Sequence, residues 1–240
     1  MLTAELLSIL VPVFDEAGTL ATIIDRLRAI DLPLPREIVI INDGSTDGTR
    51  EVADALSRGD GELLVIHTAR NAGKGAAIRS GLAAARGTII AIQDADLELD
   101  PAQLAALVAP IMIGAAPVVY GSRFLAGRPD VPFLTLAANR VLTAATNLLY
   151  GSRLTDMETC YKIMRTSIAR GLDLESNRFE IEPEITAKLL RAGHRIVELP
   201  VRYEPRRRDH GKKIKWRDGV HALRVLLRYR FGRYHPREHV

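Results

Sequence analysis

Short apolar runs and helical patterns alternate along the first hundred residues. Residues 6–13 form an apolar run bounded by Asp15, and residues 19–30 place Leu20, Ile23, Ile24 and Leu27 on one helix face. A β-rich run at 37–41 ends on Asn42-Asp43-Gly44-Ser45 and precedes a helix at 49–56. A third run, 63–67, leads across Gly73-Lys74-Gly75 into a helix at 76–85, and a fourth, 88–93, passes straight into Asp94-Ala95-Asp96. Strand and helix in alternation predict right-handed crossovers and an α/β fold, a mainly parallel sheet with helices on both faces. Ligands of such sheets bind beyond the carboxyl ends of the strands. The polar clusters Asp15-Glu16, Asn42-Asp43, Asn71 and Asp94/Asp96 all fall at that edge.

Beyond Pro101 the alternation loosens. The pattern predicts a helix at 101–111, a strand at 117–121, a long helix at 134–150 and a strand at 160–165. A helix at 183–192, a strand at 195–203 and a last helix at 216–231 follow. No internal repeat or linker interrupts the chain, which reads as one compact domain with a C-terminal appendage.

Composition narrows the class. With 240 residues, 47% apolar and 26% charged, the chain is neither disordered, collagenous nor a disulfide scaffold. Its one cysteine, Cys160, has no partner for an internal bridge, which is compatible with a reducing compartment. Met1 to Glu5 lack the basic segment of a secretory signal. The longest apolar run, 108–120, is broken by Pro110 and Pro117 and is shorter than the ~20 residues of a membrane-spanning helix.

Charge adds an asymmetry that the net +4 conceals. Through His194 there are 19 Lys and Arg against 24 Asp and Glu, whereas from Arg195 onward there are 14 against 5. A tail of net +9 predicts a phosphate-rich partner. Its aromatics, Tyr203, Trp216 and Tyr229, are too dispersed for base stacking, which argues against nucleic acid.

Two clusters carry candidate chemistry. Asp94 and Asp96 follow a buried strand and turn toward the same side, with Glu98 two residues on. Such carboxylates repel unless a cation neutralises them, and hard oxygen ligands favour Mg2+ or Mn2+ bridging substrate phosphates. A helix-capping role is the competing reading, although Asp100 before Pro101 is the better N-cap. Gly73-Lys74-Gly75 suggests a phosphate turn at a helix start. It fails the Walker template, with Ala76 after Gly75, and the dinucleotide template, with Ile78 at the third small position.

Taken in order, Val11-Pro12-Val13-Phe14-Asp15-Glu16, the stretch from Asn42 to Thr49, Asn71-Ala72-Gly73-Lys74-Gly75 and Asp94-Ala95-Asp96 resemble the family 2 glycosyltransferases of GT-A fold, a Rossmann-like architecture. Gly121-Ser122-Arg123, Thr155-Asp156, Phe179-Glu180-Ile181-Glu182 and Gly211-Lys212-Lys213 resemble the dolichol- or polyprenyl-phosphate sugar synthase branch. The likeness runs over about residues 6 to 219. It implies a catalytic domain at 1–204 and a basic acceptor- and membrane-facing segment at 205–240.

The resemblance also implies roles. Pro12, Phe14 and Glu16 would line the nucleoside pocket, Asp43 would lie near base or ribose, and Lys74 near the nucleotide. Asp94 would touch nucleotide or sugar, and Asp96 would hold Mg2+ or Mn2+ on the diphosphate, helped by position 98. That position is Gln in many relatives and Glu98 here. Arg123, Arg206, Lys212 and Lys213 would bind the acceptor phosphate, with Arg128 or Lys215 as further candidates, and Asp156 would orient nucleophile or sugar. The implied reaction is inverting transfer from a nucleotide diphospho-sugar to a polyprenyl monophosphate. That acceptor implies a peripheral enzyme on the cytoplasmic face of an anionic membrane, with a membrane-protein partner as a further possibility.

In the last helix, Arg217, His221, Arg224 and Arg228 form a basic face beside Trp216, Val220, Leu223 and Leu227, a pattern suited to a membrane interface. A helix packed on the sheet with solvated arginines is the plainer alternative. Two other functions stay open: a family 2 enzyme glycosylating a sugar or protein hydroxyl, with Asp156 or Glu182 as base, and a non-catalytic subunit binding anionic lipid.

Overall fold

The computed structural model describes residues 5–206 and 216–232, with side chains from 219 in the second stretch. Its strands are β1 (Leu7–Val13), β2 (Arg36–Asn42), β3 (Leu63–His67), β4 (Ile89–Ile92), β5 (Val118–Ser122), β6 (Lys162–Arg165) and β7 (Ile196–Pro200). They form one sheet in the order β3-β2-β1-β4-β6-β5-β7. All are parallel except β6, which runs antiparallel to both β4 and β5. The central strands are apolar without alternation because both faces are covered: every residue of Ile89–Ile92 is buried, as are six of the seven in Leu7–Val13.

The helices are α1 (Leu20–Ala29), α2 (Thr49–Ser57), α3 (Lys74–Ala84), α4 (Leu104–Met112), α5 (Phe133–Tyr150), α6 (Thr166–Gly171), α7 (Ile181–Arg191) and α8 (Trp216–Phe231). Leu20, Ile23, Ile24 and Leu27 bury the predicted face of α1 completely. Asp100 caps the turn before α4 by accepting from the Ala102 amide at 3.1 Å, as its place before Pro101 predicts.

Three predicted elements differ. The helix expected at 76–85 begins at Lys74, because Gly73 takes φ +100° and the Asp43 carboxylate accepts the Gly73 amide at 2.6 Å. A Cβ at Gly73 would collide with the Asn177 carbonyl, so glycine alone fits there. The strands expected at 160–165 and 195–203 are the shorter β6 and β7. The six-residue α6 is too brief to leave a periodic signal.

The last helix packs on two other helices, α5 and α7, where the plainer expectation had it on the sheet. Ala222, Leu226 and Tyr229 are buried, and Leu226 and Tyr229 form a satellite core with Met157 and Ala187. Tyr150 donates its hydroxyl to the Leu226 carbonyl at 2.7 Å, and Tyr229 donates to Glu184 at 3.0 Å. Val220, Leu223 and Leu227 stay exposed, as do His221, Arg224 and Arg228. Arg207, Arg208, Lys212, Lys213 and Lys215 lie outside the described residues, as do the side chains of Trp216 and Arg217. No described helix is long and apolar enough to cross a membrane.

Candidate active site

The loops at the carboxyl edge of β1 and β2 are knitted to each other by motif residues. Asp15, at φ +53°, donates its amide to Ser45 Oγ at 3.0 Å and accepts the Thr46 amide on Oδ1 at 2.8 Å. Glu16 donates its amide to Thr49 Oγ1 at 2.9 Å, and Ala17 donates to Asp47 at 3.1 Å. Asn42 accepts the Ser45 amide at 3.0 Å. Much of the Asn42-to-Thr49 signature therefore builds loops and presents few free polar atoms.

Asp43 is part of that scaffold. It is 2% exposed, and its carboxylate accepts from the Ala72 and Gly73 amides and the Thr68 hydroxyl. These bonds make Asp43 shape the turn that starts α3, beside the contact to base or ribose that the resemblance implied. Pro12 lies past the last β1–β4 pair, Leu10↔Ile92. With half-buried Phe14 and Glu16, it lines the same end of β1.

A line of alternating charges crosses the cleft floor. Lys74 Nζ lies 2.8 Å from Asp94 Oδ1 and 2.9 Å from Glu182 Oε1, and Lys162 Nζ lies 2.5 Å from Glu182 Oε2. Lys162 is fully buried, donates also to the Met157 and Thr159 carbonyls, and sits 4.9 Å from the Tyr120 ring centroid. Burial works to lower the Lys74 ammonium, but Asp94 and Glu182 outweigh it and hold it well above its ordinary value. Burial likewise works to raise Glu182, and the two lysines hold it below the usual carboxylate range.

Arg123 and Asp156 form a second closed pair. Asp156 is fully buried, and it accepts from Arg123 Nε at 2.7 Å, from Nη2 at 2.8 Å and from the Arg123 amide at 3.0 Å. Glu198 fixes the segment from behind by accepting the Thr155 and Asp156 amides at 2.7 and 2.9 Å. Arg123 also stacks 5.2 Å from the Tyr203 ring centroid. Asp156 therefore orients Arg123, and its committed oxygens make it a poor base.

Arg206 stands apart from Arg123. It reaches Glu16 Oε2 at 2.6 Å and the Asp96 carbonyl at 2.8 Å. Its amide and the Tyr203 hydroxyl donate to Glu98 at 2.9 and 2.6 Å. Glu98 thus ties the C-terminal segment across the nucleoside side of the cleft, a job that its expected share in a metal site does not predict. Leu97, between Asp96 and Glu98, has φ +62°, a conformation that costs a non-glycine residue on the order of 1 kcal/mol. Gln93 stabilises the loop by donating to the Asp94 and Leu99 carbonyls, and Tyr161 donates to its Oε1 at 2.7 Å.

Two carboxylates are left over. Asp96 is half-buried, and among the described residues its carboxylate accepts the Glu98 amide alone, at 3.1 Å. Burial, then Asp94 and Glu98, push it up to about 7. Glu158, which no sequence motif singled out, has its Oε1 buried without a hydrogen-bond partner, and burial pushes it up to about 7. Neither has an ion-pair partner among the described residues. Among those residues no three acidic, histidine or cysteine side chains form a ready-made metal cage. The fit is instead to a cation held by Asp96 and completed by diphosphate oxygens, since such a charge would relieve the crowding of Asp94, Asp96 and Glu98.

The pattern for "Glycosyl transferase family 2" matches residues 8–172. An undecaprenyl-phosphate mannosyltransferase of Micrococcus luteus is 29% identical over 213 residues, covering 85% of each chain. A dodecaprenyl-phosphate galacturonate synthase of Rhizobium johnstonii is 29% identical over 85% of this chain, and glycosyltransferase AglD of Haloferax volcanii is 29% identical over 83%. The chain spans 60% and 33% of the lengths of those two. Among solved structures, glucosyl-3-phosphoglycerate synthase from Mycobacterium tuberculosis in complex with Mn2+, UDP and glucosyl-3-phosphoglycerate superposes with a TM-score of 0.72 at 18% identity. The match covers 96% of this chain and 81% of that one. The same enzyme with Mg2+ and UDP gives a TM-score of 0.70 at 19% identity over the same shares.

Proposed function

The chain belongs to glycosyl transferase family 2 and has the GT-A fold, and from that premise we propose that it transfers a sugar, with inversion, from a nucleoside-diphosphate donor to a polyprenyl monophosphate. The observation that carries the reading is the half-buried Asp96 carboxylate, crowded by Asp94 and Glu98 and, among the described residues, without an ion-pair partner. It suits a donor that arrives with its own divalent cation. Similarity to the Micrococcus luteus mannosyltransferase along 85% of both chains supports the acceptor class.

In this reading Glu16, Pro12 and Phe14 receive the nucleoside, and Arg206 exchanges its pairing with Glu16 for substrate. Lys74 stays between Asp94 and Glu182, its charge directed at the nucleotide. Mg2+ or Mn2+ on Asp96 would neutralise charge growing on the leaving diphosphate. Arg123, held rigid by Asp156, presents its remaining Nη1 to the acceptor phosphate, and Arg206, Lys212 and Lys213 would add cations. A phosphate nucleophile, with a second pKa near ~6, needs no strong base, consistent with the committed state of Asp156. The protein would work peripherally, on the cytoplasmic membrane face where the acceptor headgroup lies.

Glu158 favours a second reading. With its Oε1 buried and unpartnered among the described residues, and pushed up to about 7, this carboxylate is equipped to take a proton from a hydroxyl acceptor. One experiment separates the two. GDP-, UDP- and dTDP-sugars are screened by thermal shift with and without Mn2+, and the stabilising donor is then offered a detergent-dispersed short-chain polyprenyl phosphate or the matching polyprenol. Transfer to the phosphate alone, retained in Glu158→Gln, is expected. Transfer to the hydroxyl, abolished in Glu158→Gln, would overturn the phosphate acceptor.

A further inference from the structure

Helix α5 is amphipathic the wrong way round. Its fully buried positions include Thr143 and Thr146, with Leu136, while Phe133, Leu134, Val141 and Leu148 are exposed, the last by 86%. Leu134, Val141 and Leu148 recur every seven residues, so they form one outward stripe, about 21 Å long at ~1.5 Å per residue. Ala138 and Ala144 are exposed too, and Arg140 is the only charged residue in the helix. The inward threonines have partners, Thr143 accepting the Met157 amide and Thr146 donating to the Leu142 carbonyl, but water alone gives no reason to point the apolar stripe outward.

The neighbouring α8 has the same outward character. Its buried side holds Ala222, Leu226 and Tyr229, of which Leu226 and Tyr229 pack with Leu142 and Leu149 of α5. At 100° per residue, Val220, Leu223, Leu227 and Phe231 lie on the opposite side, with Arg224 and Arg228 along one margin and Arg230 along the other. All of these side chains are exposed. Residues 133–150 and 219–232 contain no acidic residue. Helix α5 also follows the loop that begins after Arg123.

We propose that the outward faces of α5 and α8 together form a bilayer-docking surface, with α5 entering the acyl boundary and the α8 arginines meeting anionic headgroups. The charge pattern selects this occupant. Arg228 is paired with Glu175 at 2.7 Å, while the other described cations of the two helices, Arg140, Arg224 and Arg230, are exposed; they complement an anionic leaflet and would repel their own copies across a symmetric interface. The inference rests on the lipid acceptor proposed above and adds the surface that brings the cleft to it. A basic α8 alone would give binding that salt abolishes, whereas the α5 stripe adds an apolar share that salt leaves intact.

The test uses the whole chain and sedimentation with vesicles of equal phosphatidylglycerol and phosphatidylcholine, at low and high salt. The triple variant Leu134→Gln/Val141→Gln/Leu148→Gln, all at exposed sites, should weaken partitioning at least about tenfold at either salt. Arg224→Glu/Arg230→Glu should weaken it mainly at low salt. Wild-type partitioning by the triple variant would overturn the proposal. So would a wild-type dimer that this variant turns into a monomer while vesicles are ignored. Transfer to a water-soluble short-chain prenyl phosphate keeps the two readings separable: the triple variant should match wild type there, and failure of wild type itself in that assay would count against the acceptor, not the surface.

Discussion

Glu37 and Asp96 are carboxylates at opposite edges of one sheet, and the fold treats them in opposite ways. Glu37, 1% exposed at the amino edge, accepts from Ser8 Oγ, from the Arg86 amide and Nε, and from the Gly87 amide. Burial works to raise it, but those donors hold it below its ordinary value. At the carboxyl edge, half-buried Asp96 and Glu158 have almost no donors among the described residues and are pushed up to about 7. Burial is common to both edges, and the supply of donors differs. A satisfied carboxylate holds strands together, whereas an unsatisfied one is a standing cost that a bound cation or substrate removes.

The sharpest way to break this contrast is to delete each group and ask what is lost. Asp96→Ala should cut turnover by about a hundred- to a thousandfold and remove the Mn2+ dependence of donor binding in titration calorimetry, with no loss of melting temperature. Metal-independent donor affinity that survives in the variant would end the metal assignment. Glu37→Ala should do the reverse. It strands the Ser8, Arg86 and Gly87 donors and should cost about 3 kcal/mol in denaturant unfolding, with activity per folded molecule unchanged. Because the Glu37 value is lowered, its contribution is present above pH ~4.5 and fades as pH falls through its folded value.

The same contrast explains how far the sequence could be read. The parallel core was legible because Leu6 to Val13 and its counterparts are continuous apolar runs, and Asp94 and Asp96 were legible as a pair at a strand end. What escaped depends on pairings distant in sequence. The scaffold part of Asp43 shows only once its distant backbone partners at Ala72 and Gly73 are seen. Lys162 resembles a surface charge on a strand, yet Glu182, twenty residues on, buries it. Glu158 matters because nothing bonds its Oε1, a property that no residue pattern encodes. The reversed β6 also leaves no trace in periodicity, since direction within a sheet is set by tertiary pairing.

Glu158 sharpens the comparison by predicting a gain. Its folded value, about 7, lies above the ordinary 4.5, so the stability of the neutral form is fully present below pH ~4.5 and is lost as pH rises through 7. Glu158→Gln carries no charge to lose. Denaturant unfolding should therefore find the variant more stable than wild type by about 1–2 kcal/mol at pH 8 and equal to it near pH 4.5. A variant less stable at pH 8 would mean that the carboxylate is paired after all.

The smallest effect belongs to a carboxylate that is paired but not buried. Glu175 meets Arg228 at 2.7 Å, with side chains 52% and 63% exposed. Its backbone has separate partners, the amide donating to Glu184 and the carbonyl accepting from Arg79, so Glu175→Gln removes only the surface pair. Water already solvates both charges, and fixing two long side chains costs entropy, so unfolding should shift by less than about 0.5 kcal/mol. Raising salt to about 0.5 M should erase even that. If the change instead matched the loss in Glu37→Ala, donors alone would decide a carboxylate's worth in this fold, and the part assigned here to burial would have to be given up.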